Sequence, residues 1–139
     1  GSAFNLDGPD SGPVREFFTA NPPYWMDEFH IDGFRFDATH EIPDDTRPHV
    51  IQEMTAAVHT RGGYVICEDS RNAASVIAAT GWASDGVWAD DFHHAVRVSQ
   101  TEERGGYYGD FAGTLAEVAD CLRFGWLYRG KYSANQGRL

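Results

Sequence analysis

The apolar residues of the chain switch repeatedly between helical and extended spacing. Apolar residues three and four positions apart predict helices, and short runs rich in β-branched and aromatic residues predict strands. The predicted helices cover residues 11–29, 46–60, 72–79 and 114–124, and the predicted strands cover residues 31–37, 64–68 and 86–89. Strands that alternate with helices through short loops are typical of parallel β-α-β units.

Prolines and glycines interrupt this pattern at two places. Pro22 and Pro23 fall inside the first helical segment, where a proline removes a backbone hydrogen bond and clashes with the preceding turn. We therefore expect a break or a kink in that helix. Gly62 and Gly63 follow the second helical segment, and we expect them to end it.

The number of predicted strands is small for a closed fold. A chain of 139 residues has the size of one domain, but a closed (β/α)8 barrel needs about 250 residues, or about 30 for each unit. We therefore expect an α/β fold that is a partial (β/α)8 TIM barrel, with three central β/α units and parallel strands. Residues 1–139 are interpreted as a fragment of that domain.

Acidic residues outnumber basic ones in this chain. The net charge of −10 argues against a nucleic acid or an anionic membrane as the partner, because both need a basic face. No apolar run is long enough to span a bilayer, and the start of the chain lacks a signal-peptide pattern. Cys67 and Cys121 have neither metal nor disulfide spacing, which favours two buried thiols in a reducing cytoplasm.

Residues 33–40, GFRFDATH, place an arginine and an aspartate in a segment that otherwise has the pattern of a buried strand. Because side chains alternate along a strand, Arg35 and Asp37 share one face, opposite the neighbouring phenylalanines. Asp37 ends this strand and Glu68 ends the next one. In parallel β/α folds the active site lies at that end of the strands.

The two carboxylates fit the spacing of a glycosidase pair. Adjacent strands lie about 4.8 Å apart, so Asp37 and Glu68 can approach the separation of about 5 to 5.5 Å that retaining glycosidases use. Arg35 favours the ionised form of Asp37, which suits a nucleophile, while burial and a nearby anion favour a protonated Glu68, which suits an acid/base. The alternative from the pattern alone is a structural Arg35–Asp37 ion pair beside a loop carboxylate.

Two motifs resemble those of a known family. HIDGFRFDATH, residues 30–40, resembles the second short signature of the α-amylase superfamily of glycoside hydrolases, and YVICEDS, residues 64–70, resembles the third. They occur in the expected order with a helix between them. The resemblance therefore implies a (β/α)8 barrel that hydrolyses glycosidic bonds.

The same resemblance implies roles for individual residues. Asp37 would be the nucleophile, Arg35 its partner and Glu68 the acid/base. His40 would lie near the substrate on the leaving-group side, and Asp69 would also bind substrate. The first and fourth signatures of the superfamily are expected outside residues 1–139, and with the fourth a third catalytic carboxylate, so the 139 residues alone are expected to be inactive.

Flanking segments narrow the resemblance. GSAFNLDGP, DGVWADDFHHAVRVSQTEERGGYYGDF and GWLYRGKYS are similar to segments of the maltooligosyltrehalose trehalohydrolases, which hydrolyse the α-1,4 bond next to a terminal trehalose unit. This implies an α-glucan oligosaccharide, maltooligosyltrehalose, as the partner, a function in trehalose biosynthesis, and no cofactor.

Residues 90–94, DDFHH, offer further candidate ligands. Asp and His commonly bind metals, but the i, i+4 spacing of a helical metal pair is absent, and no metal site is predicted. In the glycosidase interpretation Asp91 and His94 hydrogen-bond sugar hydroxyls, whereas the alternative for Asp91 is the N-cap of the following helix. The aromatic residues that either stack on glucose rings or pack in the core are Trp88, Tyr107, Tyr108 and Trp126.

Other functions fit parts of the same pattern. An α-glucan branching enzyme or another α-amylase-type glucanase or transferase would use the same carboxylates, and a branching enzyme would transfer the chain to a sugar hydroxyl instead of water. A carbohydrate-binding relative without catalysis would lack a carboxylate, and a metal-dependent barrel lyase would need further ligands at the strand ends. The segments WADDFHH and ERGGYYGDF favour the trehalohydrolase interpretation.

Overall fold

A computed structural model describes residues 4–137 of the chain, which divide into a first compact unit that ends at Trp88 and a second that begins at Ala89. The elements of the first unit are α1 (Gly12–Phe29), β1 (Gly33–Phe36), α2 (Val50–His59), β2 (Tyr64–Glu68) and β3 (Gly86–Trp88). The second unit contains α3 (Asp90–Thr101) and α4 (Leu115–Phe124). Short 3₁₀ turns lie at Thr39–Glu41, Ala74–Val76 and Gly106–Asp110.

The three strands form one parallel sheet in the order β1-β2-β3. Phe36 of β1 pairs with Cys67 of β2, and Glu68 of β2 pairs with Trp88 of β3. The helix α2 carries the chain back to the start of the next strand, which makes the parallel pairing possible. The predicted α/β class with parallel strands is confirmed, and β2 has the predicted limits.

The two faces of this sheet differ in burial. Phe36, Val65 and Cys67 are buried in a core that includes residues of α1 and α2. The opposite face, called the exposed face below, carries Arg35, Tyr64, Ile66 and Trp88. Side chains two positions apart share a face of a strand, so the predicted alternation of charged and aromatic residues in β1 is confirmed.

The helix α1 continues without interruption through Pro22 and Pro23, so a break there is wrong, while a kink stays a prediction. Neither proline can donate a backbone hydrogen bond to the carbonyl of Phe18 or Thr19. Pro22 is nevertheless buried, and tertiary packing of this kind supplies most of the stability of helices in proteins. Across the described residues 4–137, no helix is both long and apolar enough to cross a membrane.

The helix predicted for residues 46–60 is confirmed in a shorter form. It begins after His49, whose Nδ1 accepts the N–H of Ile51 at 3.1 Å. It ends before Gly63, where a Cβ would lie 2.9 Å from the carbonyl oxygen of Asp32. Glycine permits this close approach, which lets the chain run directly into β2.

The helix predicted for residues 72–79 is wrong, because only Ala74–Val76 form a short 3₁₀ turn. Asn72 has a φ of 53°, which lies outside the helical region. The chain then folds back, and the N–H of Trp82 donates to the carbonyl of Ser75 at 3.0 Å. These fold-back hydrogen bonds replace the helical ones on the way to β3.

The second unit packs around its own apolar cluster of Ala95, Val98, Phe111, Cys121 and Leu127. α4 begins with a capping box in which Thr114 and Glu117 each accept the other's backbone N–H, so the helix predicted for residues 114–124 is confirmed. α3 begins after Ala89. Asp91 therefore lies inside the first turn, and its interpretation as an N-cap is wrong.

Candidate active site

Asp37 and Glu68 lie at the same edge of the parallel sheet. Asp37 follows β1 directly, and Glu68 is the last residue of β2. Phe36 pairs with Cys67, so the next residue along one strand is Asp37 and along the other Glu68. Parallel α/β folds place their functional groups at this edge.

Arg35 orients the carboxylate of Asp37. Its Nη1 donates to Oδ1 of Asp37 at 2.6 Å, and its Cζ lies 5.1 Å from the centroid of the Trp88 ring. The side chains of Arg35 and Asp37 are 42% and 76% exposed, and exposed ion pairs contribute little to stability. The contact therefore aims a solvent-accessible carboxylate more than it stabilises the fold.

Glu68 accepts a hydrogen bond from Ala38, the residue that follows Asp37. Its Oε2 accepts the N–H of Ala38 at 2.8 Å. Ala38 has φ 47° and ψ 44°, the left-handed conformation that is uncommon for residues with a side chain. Such conformations persist where the surrounding structure enforces them, and they cluster at functional sites. The left-handed turn directs this N–H toward Glu68.

Asp69 directly follows Glu68 in the chain and is fully buried. It accepts hydrogen bonds from Nε and Nη2 of Arg71 at 3.0 and 2.5 Å and from the hydroxyl of Thr39 at 3.0 Å. Burial by itself raises the pKa of Asp69, but the hydrogen bonds from Arg71 and Thr39 outweigh it and hold that pKa below its ordinary value. Asp69 thus joins the segments that follow β1 and β2, and its role in substrate binding stays a prediction.

His40 is half-buried beside the segment that follows β2. Its Nδ1 accepts the N–H of Ser70 at 3.4 Å, and its Nε2 lies 3.6 Å from Oε1 of Glu41. The ring is therefore close in space to the residues immediately after Glu68. The predicted contact with the leaving group stays a prediction.

Asp91 and His94 lie in the second unit. Oδ2 of Asp91 accepts the N–H groups of Leu127 and Tyr128 at 2.7 and 2.8 Å, which ties the start of α3 to the segment after α4. The ring of His94 stacks on Tyr107 with centroids 4.5 Å apart, and burial lowers its pKa. These contacts give both residues a structural role within the second unit. Their binding of sugar hydroxyls stays a prediction.

The four aromatic residues that could stack on glucose rings differ in exposure. Trp88 and Tyr107 are exposed, whereas Tyr108 and Trp126 are partly buried. No group of three or more His, Cys, Asp or Glu side chains within residues 4–137 is placed to hold a metal ion.

Three residues around the carboxylates were not singled out from the sequence. Ala38 donates to Glu68, Thr39 donates to Glu68 or Asp69, and Arg71 donates to Asp69. A threonine after a strand is typical of an ordinary turn. The residue that accepts its hydroxyl proton is about thirty positions away in the chain, so no local pattern marks Thr39. The one local signal is the close spacing of Asp69 and Arg71, which suits an ion pair.

Comparison with known proteins gives one consistent result. The chain is 40% identical to a malto-oligosyltrehalose trehalohydrolase from Saccharolobus solfataricus, over 96% of this chain and 24% of that enzyme. It is 36% identical to one from Deinococcus radiodurans, over 89% of this chain and 21% of that enzyme. The resemblance to the trehalohydrolases is confirmed. The chain spans about a quarter of the length of these curated relatives.

Two further matches agree at a coarser level. A 1,4-alpha-glucan branching enzyme from Leifsonia xyli is 35% identical over 48% of this chain and 12% of that enzyme. A crystal structure from Salmonella typhimurium, provisionally described as an alpha amylase, matches with a TM-score of 0.82 at 34% identity, over 99% of this chain and 24% of that chain. No known family profile matches the chain.

Proposed function

We propose that this chain is part of a retaining glycoside hydrolase that cleaves the α-1,4-glucosidic bond next to the terminal trehalose of maltooligosyltrehalose and releases trehalose. The observation that carries the proposal is the position of Asp37 and Glu68 at the ends of adjacent parallel strands. The long matches to trehalohydrolases support this substrate. Because the chain spans about a quarter of those relatives, the activity is proposed for the full-length protein that contains it.

In this mechanism the two carboxylates act in sequence. An oxygen of Asp37 bonds to the anomeric carbon while the bond from that carbon to the trehalose oxygen breaks, and Glu68 donates a proton to the departing oxygen. Glu68 then removes a proton from water, which attacks the same carbon and releases Asp37. Because each of the two displacements inverts the anomeric carbon, the released sugar keeps the α-configuration of the substrate. Arg35 keeps the attacking oxygen of Asp37 aimed through its 2.6 Å contact.

We further propose that the three strands belong to a catalytic (β/α)8 barrel and that residues 1–139 form one segment of that domain. The exposed face would line the barrel interior, where side chains from other strands would cover Tyr64 and Ile66. The alpha amylase-like solved structure supports this placement. The buried, free thiols of Cys67 and Cys121 support the cytoplasmic location expected from the sequence.

A branching enzyme is the second candidate, because such an enzyme matches about half of the chain. The products separate the two functions. A trehalohydrolase releases trehalose and a shortened maltooligosaccharide, whereas a branching enzyme releases no trehalose and creates new branch linkages in the glucan.

The nucleophile is tested by Asp37→Asn in the full-length protein. This variant keeps the shape of the side chain but removes the attacking charge, so trehalose release should fall at least about 1,000-fold. Asp27→Asn is the matched control, because Asp27 is also an exposed aspartate bonded to an arginine, at 2.8 Å from Arg61, and it should keep the wild-type rate. Retention of more than about a tenth of the activity in Asp37→Asn would contradict the assignment.

The acid/base is tested by Glu68→Gln with two substrates. The natural substrate needs its leaving oxygen protonated, whereas a nitrophenyl α-maltooligoside has a leaving group that departs without this help. We expect kcat/KM to fall far more for maltooligosyltrehalose than for the nitrophenyl substrate. Equal losses for both substrates would remove Glu68 from the role.

A further inference from the structure

One buried hydroxyl joins the loop after the proposed nucleophile to the strand that carries the proposed acid/base. Oγ1 of Thr39 lies 2.9 Å from the carbonyl oxygen of Glu68 and 3.0 Å from Oδ2 of Asp69. Thr39 and Asp69 are both 0% exposed. A hydroxyl has one proton, so Thr39 shares it between these two acceptors or donates to one of them at a time.

Thr39 adds a hydrogen bond between the loop after β1 and the end of β2, beyond the last residue pair of the two strands. The pairing between β1 and β2 ends at Phe36 and Cys67, so the carbonyl of Glu68 lies past the ladder on that side. The hydroxyl of Thr39 bonds this carbonyl, and the N–H of Ala38 bonds the carboxylate of the same residue. Glu68 is therefore held at its backbone and at its side chain by two consecutive residues.

The other end of this contact is anchored. Arg71 donates to Asp69 through its guanidinium and also through its backbone N–H at 3.0 Å. Hydrogen bonds between charged groups are stronger than neutral ones. The guanidinium in turn lies over the ring of Trp82, with Cζ 5.0 Å from the centroid. Asp69 is thus held by Arg71 independently of Thr39 and offers the Thr39 hydroxyl a fixed acceptor.

We infer that Thr39, anchored by Asp69, is a positioning residue for Glu68 in proton transfer to the leaving group. This inference rests on the proposed function of Glu68. Loss of the hydroxyl would free the peptide group that follows Glu68, and a small rotation there moves a carboxylate at the end of a long side chain. Proton transfer requires the donor within hydrogen-bond reach of the leaving oxygen, and supporting groups must hold such donors to about half an ångström.

Three variants of the full-length protein test the inference by kcat/KM, which reports the steps through bond cleavage. Thr39→Val keeps the shape and removes the hydroxyl, and it should lower kcat/KM for maltooligosyltrehalose about 10- to 100-fold but for the nitrophenyl α-maltooligoside less than about threefold. Thr39→Ser restores the hydroxyl and should stay within about threefold of wild type for both substrates. Asp69→Asn keeps the size of the anchor without its charge, and it should show the selective loss in a weaker form.

Thr55→Val is the matched control. Thr55 is also fully buried, and its hydroxyl donates to the carbonyl of Ile51 at 2.8 Å within α2. This variant should lower the melting temperature without selectivity between the substrates. If Thr39→Val falls equally for both substrates, or Thr39→Ser fails to restore the rate, Thr39 has only a structural role and the inference is overturned.

Glu68→Gln, measured in parallel, distinguishes a failure of the inference on Thr39 from a failure of the proposed role of Glu68. If Glu68→Gln shows the selective loss and Thr39→Val does not, the inference fails while the proposed function stands, whatever Asp69→Asn shows. If Glu68→Gln lowers kcat/KM equally for the two substrates, the proposed role of Glu68 fails, and the inference, which depends on that role, fails as well. Rates are compared per folded molecule, so a partly unfolded variant is still informative through the ratio of its two substrates.

Discussion

Asp44 lies in the loop between β1 and α2, and its carboxylate accepts hydrogen bonds from three residues. The donors are Nη1 of Arg15 at 2.8 Å, the N–H of Val50 at 2.6 Å, and the N–H and hydroxyl of Thr46 at 2.9 and 2.6 Å. The Asp44 side chain is 0% exposed. Burial by itself raises the pKa of Asp44, but these hydrogen bonds outweigh it and lower the pKa from 3.8 to about 2.

Asp44→Asn is expected to lower the free energy of unfolding by about 3 kcal/mol near pH 7, because it removes the buried charge that faces Arg15. A carboxyl with a lowered pKa in the folded state stabilises the fold above its unfolded pKa of about 4. That stabilisation is lost as the pH falls through the folded pKa of about 2. Urea unfolding should therefore show the difference between wild type and Asp44→Asn shrinking from pH 4 to pH 2.

Asp45→Asn provides the control for this measurement. Asp45 is the exposed neighbour of Asp44, and exposed substitutions usually change stability by less than about 0.5 kcal/mol. A difference between wild type and Asp44→Asn that stays constant across this pH range would show that the charge of Asp44 does not stabilise the fold.

Single residues of the site could be predicted from the sequence where the reason is local. Asp37 and Glu68 were found because strand alternation and strand ends are properties of a few consecutive residues. The contacts of Thr39 with Glu68 and Asp69 depend on how β1 and β2 pair. No local pattern contains that information, so Thr39 could be recognised only from the structure.

At the scale of elements, β1, β2, β3, α1, α2 and α4 followed from apolar spacing, while the uninterrupted course of α1 through its two prolines and the structure of the segment before β3 did not. The two prolines predicted a break or a kink in α1, yet the helix is continuous there, with Pro22 and Met26 buried. The apolar residues 72–79 have helical spacing, but the left-handed Asn72 and the fold-back toward β3 prevent a helix. In both places long-range packing decides against the local preference.

Pro23→Ala should stabilise the first unit. Pro23 is only partly buried, and alanine restores a backbone hydrogen bond in the helix interior where proline is unfavourable by about 3 kcal/mol. Part of this gain is offset because proline also restricts the unfolded chain, so we expect an increase of about 1 to 2 kcal/mol in the free energy of unfolding.

Pro22→Ala is the comparison, because Pro22 is buried and its ring contributes packing that alanine loses. It should stabilise less than Pro23→Ala or destabilise. A lower unfolding free energy for Pro23→Ala would show that the proline ring itself supports α1.

At the scale of the whole molecule, the exposed face of the sheet is unusual for a folded unit. Tyr64, Ile66 and Trp88 stand on it with their side chains exposed, and β1 and β3 are the outer strands of the sheet in the described residues. Unpaired strand edges and exposed apolar side chains promote association.

The 139-residue chain expressed alone is therefore expected to self-associate and to release no trehalose. Light scattering after size-exclusion chromatography measures the association, and incubation with maltooligosyltrehalose measures the activity against an Asp37→Asn control of the same length. A monomer that releases trehalose above this control would show that residues 1–139 suffice for catalysis.

The central claim is that Asp37 forms the covalent bond to the sugar, and trapping that bond tests it most directly. In full-length Glu68→Gln, α-maltotriosyl fluoride loses fluoride without protonation, while the glutamine cannot activate water, so the glycosyl-enzyme should accumulate. Proteolysis and fragmentation mass spectrometry should place one maltotriosyl group on Asp37, and the Glu68→Gln, Asp37→Asn double variant should carry none. A sugar attached to another carboxylate, or the absence of any adduct, would contradict the account.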